Sequence, residues 1–416
     1  MRTPRRPAAG AHRAKPGPTA GPRPAGILWA SPLPPIRSGV ADYAAEVLPE
    51  LSNLTDVVVL APPDWEAPAP GERWAELPRL PADAPTPRGF VSLVHMGNNP
   101  YHLWVARRLR EHGGIVVLHD SVLHHLLVEE AAADGDWSRF GAELAAAHGQ
   151  AGVALSAARS WGFQGRLDPF LFPARSVYLK SADGVVVHNR RAAQAVERDC
   201  PGVPVRTVPL AVAALPSANA GEMRRALRAA EGELLVTHLG FLTPAKGLGQ
   251  VLRGLAAAVA AGAPVRLAVV GEGSAAEDFL GVVRRAGLAD RVTCWGYAAP
   301  ETLGAILAAS DLGVAPRFPT AGETSAAVLR FLAAGTPVIV SGYGQFLEFP
   351  REATPRVAPG GAGVAELARI LVEFSRDDSR LRAASKAARR AWSEGGHSPR
   401  RAAAALLAAA QEIAAR

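Results

Sequence analysis

From Gly26 onward the chain repeats one unit: a short run that is apolar on both faces of its pleat, followed by a longer stretch with helical spacing. A strand apolar on both faces must be covered on both faces. Parallel strands joined by crossover helices satisfy that demand, so the alternation predicts an α/β fold. Six such runs come first: GILWAS (Gly26–Ser31), DVVVLA (Asp56–Ala61), FVSLVHM (Phe90–Met96), IVVLH (Ile115–His119), GVVVH (Gly184–His188) and VRTVPLAV (Val205–Val212). We place all six in one sheet. The Pro- and Gly-rich stretch Pro62–Pro87 reads as an irregular surface connection, and the strand-free region between His119 and Lys180 as several consecutive helices.

Ala213–Gly221, written in Ala, Pro, Ser, Asn and Gly, has the composition of a hinge. Beyond it the alternation restarts with LLVTHLG (Leu234–Gly240), VRLAVVG (Val265–Gly271), VTCWG (Val292–Gly296), LGVAP (Leu312–Pro316) and PVIVS (Pro337–Ser341), with helices from Lys246 and near Ala275–Ala286. The expected organisation is two doubly wound, Rossmann-like domains, at 26–212 and 222–397, facing a central cleft. A last helix, 398–416, starts at Pro399, where proline suits the first turn. A length of 416 residues fits two domains. Open α/β sheets bind ligands at the carboxyl ends of their strands, so the cleft is where function is expected.

Composition excludes several classes. Hydrophobic residues at 49% and charged residues at 20% rule out global disorder. Cys200 and Cys294 cannot form a disulfide framework or a four-cysteine zinc site, which fits a reducing compartment. The net charge of +7 is misleading, because residues 1–25 hold Arg2, Arg5, Arg6, Arg13, Lys15 and Arg23 with no acid, leaving about one surplus charge elsewhere. That Pro-rich tail reads as disordered, with at most a weak peripheral contact to anionic membrane. The remainder shows neither a nucleic-acid footprint nor a bilayer-spanning run. A cytoplasmic protein that binds no nucleic acid is the expectation.

Four clusters carry polar chemistry at predicted strand ends. SPLPPIRSGVADYAAEVLPEL (Ser31–Leu51) follows the first strand, with Ser38 placed to cap a helix and Gly39 at its mouth, so free amides and the positive dipole end face the cleft. An ordinary strand-to-helix loop has the same outline. GNNPYHLWVARRL (Gly97–Leu109) and VVLHDSVLHH (Val116–His125) bring His119 and Asp120 to a strand terminus, while His124 and His125 fall on the next helix in different directions. Their spacing is poor for zinc, no metal site is expected, and His119 is the candidate; a lone strand-end histidine is otherwise a satisfied structural group. HLGFLTPAKGL (His238–Leu248) places Lys246 at a predicted helix start. The chain uses only four lysines, Lys15, Lys180, Lys246 and Lys386, so a compact ammonium there suits a phosphate, against the plainer reading of a solvated helix-start cation. RFPTAGETSAAVLRFLAAGTPVIVS (Arg317–Ser341) puts Glu323, Thr324 and Ser325 in or near a first helical turn, where Glu323 either serves the dipole or reaches ligand hydroxyls.

Taken in order, the Gly39 loop, the HD after a buried strand, GxxxxxKG, the VVGEGS turn and the GETS…AAGTPVIVS block resemble the retaining GT-B glycosyltransferases of family 4, especially bacterial members with GNNPYH and LHDxxLHH. The resemblance covers Gly26 to the C-terminus. It implies that Gly39 approaches a donor diphosphate, that His119 lies near the transferred sugar, that Lys246 is a phosphate ligand and that Tyr297 lies near the nucleotide base. Gly240, Gly271, Thr324, Ser325 and Arg330 complete the donor-binding candidates; Lys246 and Glu323 join His119 as the catalytic ones. Two positions depart from the pattern. Phe241 stands where the family often has arginine, and the paired glutamates separated by seven residues are replaced by Gly322 and Arg330, with Glu323 one step later.

The resemblance implies transfer of a sugar from a nucleoside-diphosphate-sugar donor to a carbohydrate or lipid-linked acceptor hydroxyl, with retention, no metal and no cofactor beyond the substrate. The two departures fit an alternative, a catalytically impaired nucleotide-sugar or glycan-binding partner of another transferase. Another GT-B enzyme, an epimerase or a phosphorylase, is a further rival.

Overall fold

The computed structural model describes residues 25–62, 65, 73–217, 219–273 and 276–416. The tail at 1–24 and Ser274 of the VVGEGS turn lie outside the described residues. The strands are β1 (Gly26–Ala30), β2 (Asp56–Ala61), β3 (Arg79–Pro81), β4 (Phe90–Met96), β5 (Ile115–Leu118), β6 (Gly184–Val187), β7 (Val205–Thr207), β8 (Leu234–Leu239), β9 (Val265–Val270), β10 (Val292–Gly296), β11 (Leu312–Ala315), β12 (Val338–Ser341) and β13 (Arg356–Val357). They form a seven-stranded sheet, ordered β3-β2-β1-β4-β5-β6-β7, and a six-stranded sheet, ordered β10-β9-β8-β11-β12-β13. All pairings are parallel, as the two-faced apolar runs require.

Each central strand is sealed by helices: β1, β5, β6, β11 and β12 are buried along their whole length. In both sheets the order reverses beside the first strand, at β1/β4 and β8/β11, which opens a crevice at the carboxyl ends. The two crevices face each other. This is the GT-B architecture, two Rossmann-like units with the cleft between their strand ends.

Several local features differ from the sequence reading. Two short edge strands, β3 and β13, escaped notice because three and two residues carry no periodicity. β3 lies inside the stretch read as irregular. β7 stops at Thr207, well before Val212, because the chain turns away to cross between domains. Lys246 does not open a helix: Pro244–Lys246 is a 3-10 turn, Gly247 sits at φ +65, and the helix runs Leu248–Ala260. A positive φ favours glycine, so the break belongs at Gly247. Glu323 is likewise outside the helical turn, since Ser325 caps Ala326–Ala334.

The chain crosses between domains a second time, near 395–398. Val212 N donates to His397 O (2.9 Å) and His397 Nδ1 donates to Leu210 O (3.0 Å), which binds the two crossings side by side. The last helix, Pro399–Ala414, then packs Ala402, Leu406, Ala410 and Ile413 into the core of the first sheet. Among the described residues no helix is long and apolar enough to cross a membrane.

Candidate functional site

The first half of the site is built on β1, β4, β5 and β6. After β1, Trp29 Nε1 donates to Ser31 Oγ (2.7 Å) and Ser31 Oγ to Pro32 O (2.9 Å), anchoring the loop. Ser38 caps the helix Gly39–Leu51 by accepting from Ala41 N at 3.1 Å. The amides of Gly39 and Val40 then have no partner among the described residues, as expected for a helix start offered to an anion. Gly39 is exposed, and a Cβ there would meet nothing within 4 Å. From the same loop Arg37 crosses the cleft, its guanidinium 4.6 Å from the centre of the Tyr297 ring and 3.8 Å from the Glu272 carboxylate.

β5 delivers His119 and Asp120. His119 N extends the ladder to Met96 O (2.9 Å), while its ring packs beside Tyr43, His95 and His188, with ring centres 5.0, 5.3 and 5.1 Å away. Burial, reinforced by the neighbouring imidazoles, holds the His119 pKa well below its ordinary value. The ring is neutral. Asp120 accepts from Asn98 N (3.0 Å); burial raises its pKa, opposed by that hydrogen bond and by Arg317. Asn98 Oδ1 also accepts from His125 N and Leu126 N (2.9 and 3.1 Å), so GNNPYH and LHDSVLHH are one physical unit. Asn98 holds Asp120 and caps the next helix at once. His124 donates to Phe172 O (2.7 Å) beneath that helix, a structural role.

The second half is built on β8, β9 and β11. Gly240 (φ +124) and Gly271 (φ +137) end adjacent strands, and a Cβ on Gly271 would fall 2.2 Å from Gly240 O. Close backbone packing demands that glycine. The Lys246 ammonium lies over Gly240, where a Cβ would come within 2.9 Å of Nζ. Burial, with help from Arg317, lowers the Lys246 pKa to about 7. Arg317 follows β11, its backbone N donating to Ser341 Oγ (2.9 Å), and its guanidinium pairs with Glu323. Glu323 in turn accepts from Thr320 Oγ1 (3.0 Å), and Gln345 Nε2 donates to Thr320 Oγ1 and Glu323 O (2.6 and 2.8 Å). Arg317 is therefore held by Glu323 and Ser341, near enough to Lys246 to help lower its pKa and near enough to Asp120 to oppose the rise of the Asp120 pKa.

Arg317 is the residue that the sequence reading missed. It supplies near Lys246 the second cation that Phe241, exposed on the surface, does not. The signal was available: Arg317 stands just past an apolar strand, at the functional edge of its sheet.

The remaining candidates hold the halves together. Ser121 N and Val122 N donate to Ala321 O (2.8 and 3.2 Å), and Asn189 Nδ2 donates to Gly322 O and Thr324 Oγ1 (2.9 and 3.0 Å). Thr324 Oγ1 donates to His188 O (2.9 Å). Ser325 Oγ accepts from Val328 N as helix cap. Arg330 donates to Ala213 O (2.6 Å) and pairs with Glu46 of the first domain. Its guanidinium is thus engaged at the domain junction by Ala213 and Glu46. The broken glutamate pair now has a physical reason. Gly322 sits at φ +78 with its Cβ position 2.8 Å from Ser121 Cβ, so no larger residue fits, and a glutamate at 330 would face Glu46, a like charge. The described residues contain no group of three or more His, Cys, Asp or Glu placed to hold a metal ion.

Comparison with known proteins bears on the family and the fold. Residues 233–377 match the family described as glycosyl transferases group 1. A 2-deoxystreptamine glucosyltransferase of Streptomyces kanamyceticus is 28% identical over 159 residues, 38% of this chain and 41% of that protein, so the chain aligns with less than half of that relative. Among solved structures, a sucrose-phosphate synthase from Thermosynechococcus elongatus superposes with a TM-score of 0.64 at 17% identity, covering 92% of this chain and 97% of that one. HepE of Anabaena, solved with UDP and glucose, gives 0.55 at 16% identity over 94% and 98%. At such identities these structures bear on the fold.

Proposed function

We propose that the chain transfers a glycosyl group from a nucleoside-diphosphate sugar to an acceptor hydroxyl, with retention of configuration. The observation that carries the reading is the pairing of two cations, Lys246 and Arg317, at the strand ends of the second domain, opposite His119 and Asp120 of the first. The similarity of residues 233–377 to glycosyl transferases group 1 supports it. Breaking the anomeric C–O bond builds negative charge on the departing diphosphate. Fixed cations and the open amides of Gly39 and Val40 stabilise that charge more in the transition state than in the bound donor, which is the condition for catalysis. Leaving-group stabilisation is thereby assigned to the chain's own cations. Glu323 keeps Arg317 in place; His119, being neutral, orients the sugar; Tyr297 offers an aromatic face to the base once Arg37 moves off it. The acceptor enters from the first domain, as a carbohydrate or a lipid-linked carbohydrate. The chain works without a resident cofactor, in the cytoplasm.

The test is transfer from a panel of nucleotide sugars by the wild type and by Arg317→Ala. Removal of one such stabilising group costs about 10²-fold in turnover. Product anomers identical in configuration to the donor support retention, and inverted products refute it. Arg317→Ala turnover within severalfold of wild type would remove the leaving-group account. The rival, a binding partner without catalysis, predicts neither transfer nor donor hydrolysis from any donor.

A further inference from the structure

We infer that His95 is a positioning residue for His119: its Nδ1–H, held 3.0 Å from His119 Nε2, fixes the tautomer in which His119 presents an Nδ1–H donor to the cleft. The inference rests on the glycosyl-transfer reading only for its kinetic consequence; the geometry stands by itself.

Two assignments fit an N···N contact between neutral imidazoles. Either His95 Nδ1–H donates to His119 Nε2, or His119 Nε2–H donates to His95 Nδ1. The second would place a proton on His95 Nε2. That atom is buried with no partner, and an orphaned buried N–H is rare and costly. The first leaves only an unshared lone pair there.

The rest of the molecule shows which form it favours. His124, His188 and His238 each direct Nδ1 at a carbonyl oxygen, of Phe172, Val208 and Val314, which can only accept. His102 directs Nδ1 at Asn99 Oδ1, an oxygen already accepting from Tyr101 N. These four rings are therefore Nδ1–H tautomers, and in all four the bare Nε2 is buried without a partner. His95 follows the same rule, with His119 in place of the carbonyl. His119 Nε2 must then accept, and the proton of its neutral ring must sit on Nδ1. That nitrogen bonds to no described residue and is not sealed from solvent.

A fixed Nδ1–H donor has a specific use. It grips an oxygen of the ligand, a sugar hydroxyl in the present reading, and has no lone pair facing the cleft with which to remove a proton. His95 touches no substrate. Its contribution passes through the orientation of His119, and the Trp29 ring packs against His95, tilted, at 3.9 Å between ring centres.

The experiment uses full-length protein labelled with 15N-histidine, the His119 signals being assigned by their loss in His119→Gln. Long-range proton–nitrogen correlation is expected to show His119 protonated at Nδ1 in the wild type and in His95→Asn, whose side-chain amide can replace the donor. His95→Leu is expected to lose that form. In kinetics, His95→Leu lowers kcat about tenfold, the loss of one hydrogen bond, while affinity for the free nucleoside diphosphate stays within twofold and His95→Asn recovers most of the rate. A merely structural role would weaken nucleotide binding as well. A wild-type His119 protonated at Nε2 overturns the inference, even if His95→Leu does not fold. Retention of the Nδ1–H form in a folded His95→Leu also overturns it. If the wild type transfers no sugar, the functional reading fails while the nitrogen spectra still decide the tautomer.

Discussion

Replacing Lys246 with methionine should make the protein more stable at neutral pH and worse at binding a diphosphate. The ammonium is held in a largely desolvated position near Arg317, and its pKa falls from 10.5 to about 7. At about 1.36 kcal/mol per pH unit that fall sets an upper bound of about 5 kcal/mol on the cost of keeping the group charged. Lys246 is partly accessible, so screening and relaxation reduce the measurable gain to about 1–2 kcal/mol. The sign follows from proton binding. Between pH 7 and 10.5 the unfolded chain holds the proton that the folded one has released, so wild-type stability rises with pH across that window. Below pH 7 both states are protonated and the cost is fully present. Urea unfolding of wild type and Lys246→Met at pH 6, 7, 8 and 9 is the assay. The variant should lead most at pH 6, and the gap should narrow steadily above pH 7. A gap that stays constant over this range, or a wild type that is the more stable at pH 6, would refute the reasoning.

Other expectations follow from the domain junction and the strand ends. Glu46→Ala leaves Arg330 unpaired and lowers unfolding stability by about 1–3 kcal/mol, and the Glu46→Ala, Arg330→Ala double variant loses less than the sum, as a double-mutant cycle reads. Gly271→Ala forces a side chain against Gly240 O at φ +137 and costs more than about 2 kcal/mol, visible in thermal melts. Gly39→Ala meets open space and leaves the melt unchanged within about 0.5 kcal/mol, yet weakens nucleotide binding measured by calorimetry. Glu348 accepts from the amides of Arg190 and Arg191 (2.9 and 3.0 Å) across the junction; Glu348→Gln removes that charge-assisted cap, and small-angle scattering should show a larger radius of gyration.

The parts of the fold that two-faced hydrophobicity dictates were legible in the sequence. β1, β5 and β11 are readable because every residue in them is buried, which makes each strand an uninterrupted apolar run. β13 was not readable, since two residues paired to the edge of β12 leave no pattern. The placement of His119 and Lys246 beside the crevice was legible because both follow apolar strands closely in the sequence. The strand-end position of Arg317 was legible, but its pairing with Lys246, 71 residues earlier, was not, because one-dimensional spacing does not report that proximity. Arg330 erred the other way. Its place in the motif pointed to a phosphate, but Glu46 on an earlier helix claims the guanidinium. The role of GNNPYH as the support of Asp120 was equally hidden, because Asn98 acts through its backbone N–H as much as through its side chain.

The central claim is that the neighbouring Lys246 and Arg317 side chains exist to receive a nucleoside diphosphate, and calorimetric titration at pH 8 tests it most directly. UDP, GDP, ADP and TDP would be titrated in two buffers of different ionisation enthalpy, into wild type and into the Lys246→Met, Arg317→Ala double variant. At least one nucleotide should bind the wild type with uptake of a proton, because the diphosphate restores charge to a Lys246 amine that is largely neutral at that pH, and the double variant should bind it at least tenfold more weakly. If no nucleotide binds, or if one binds equally well without the two cations and with no proton taken up, the account is contradicted.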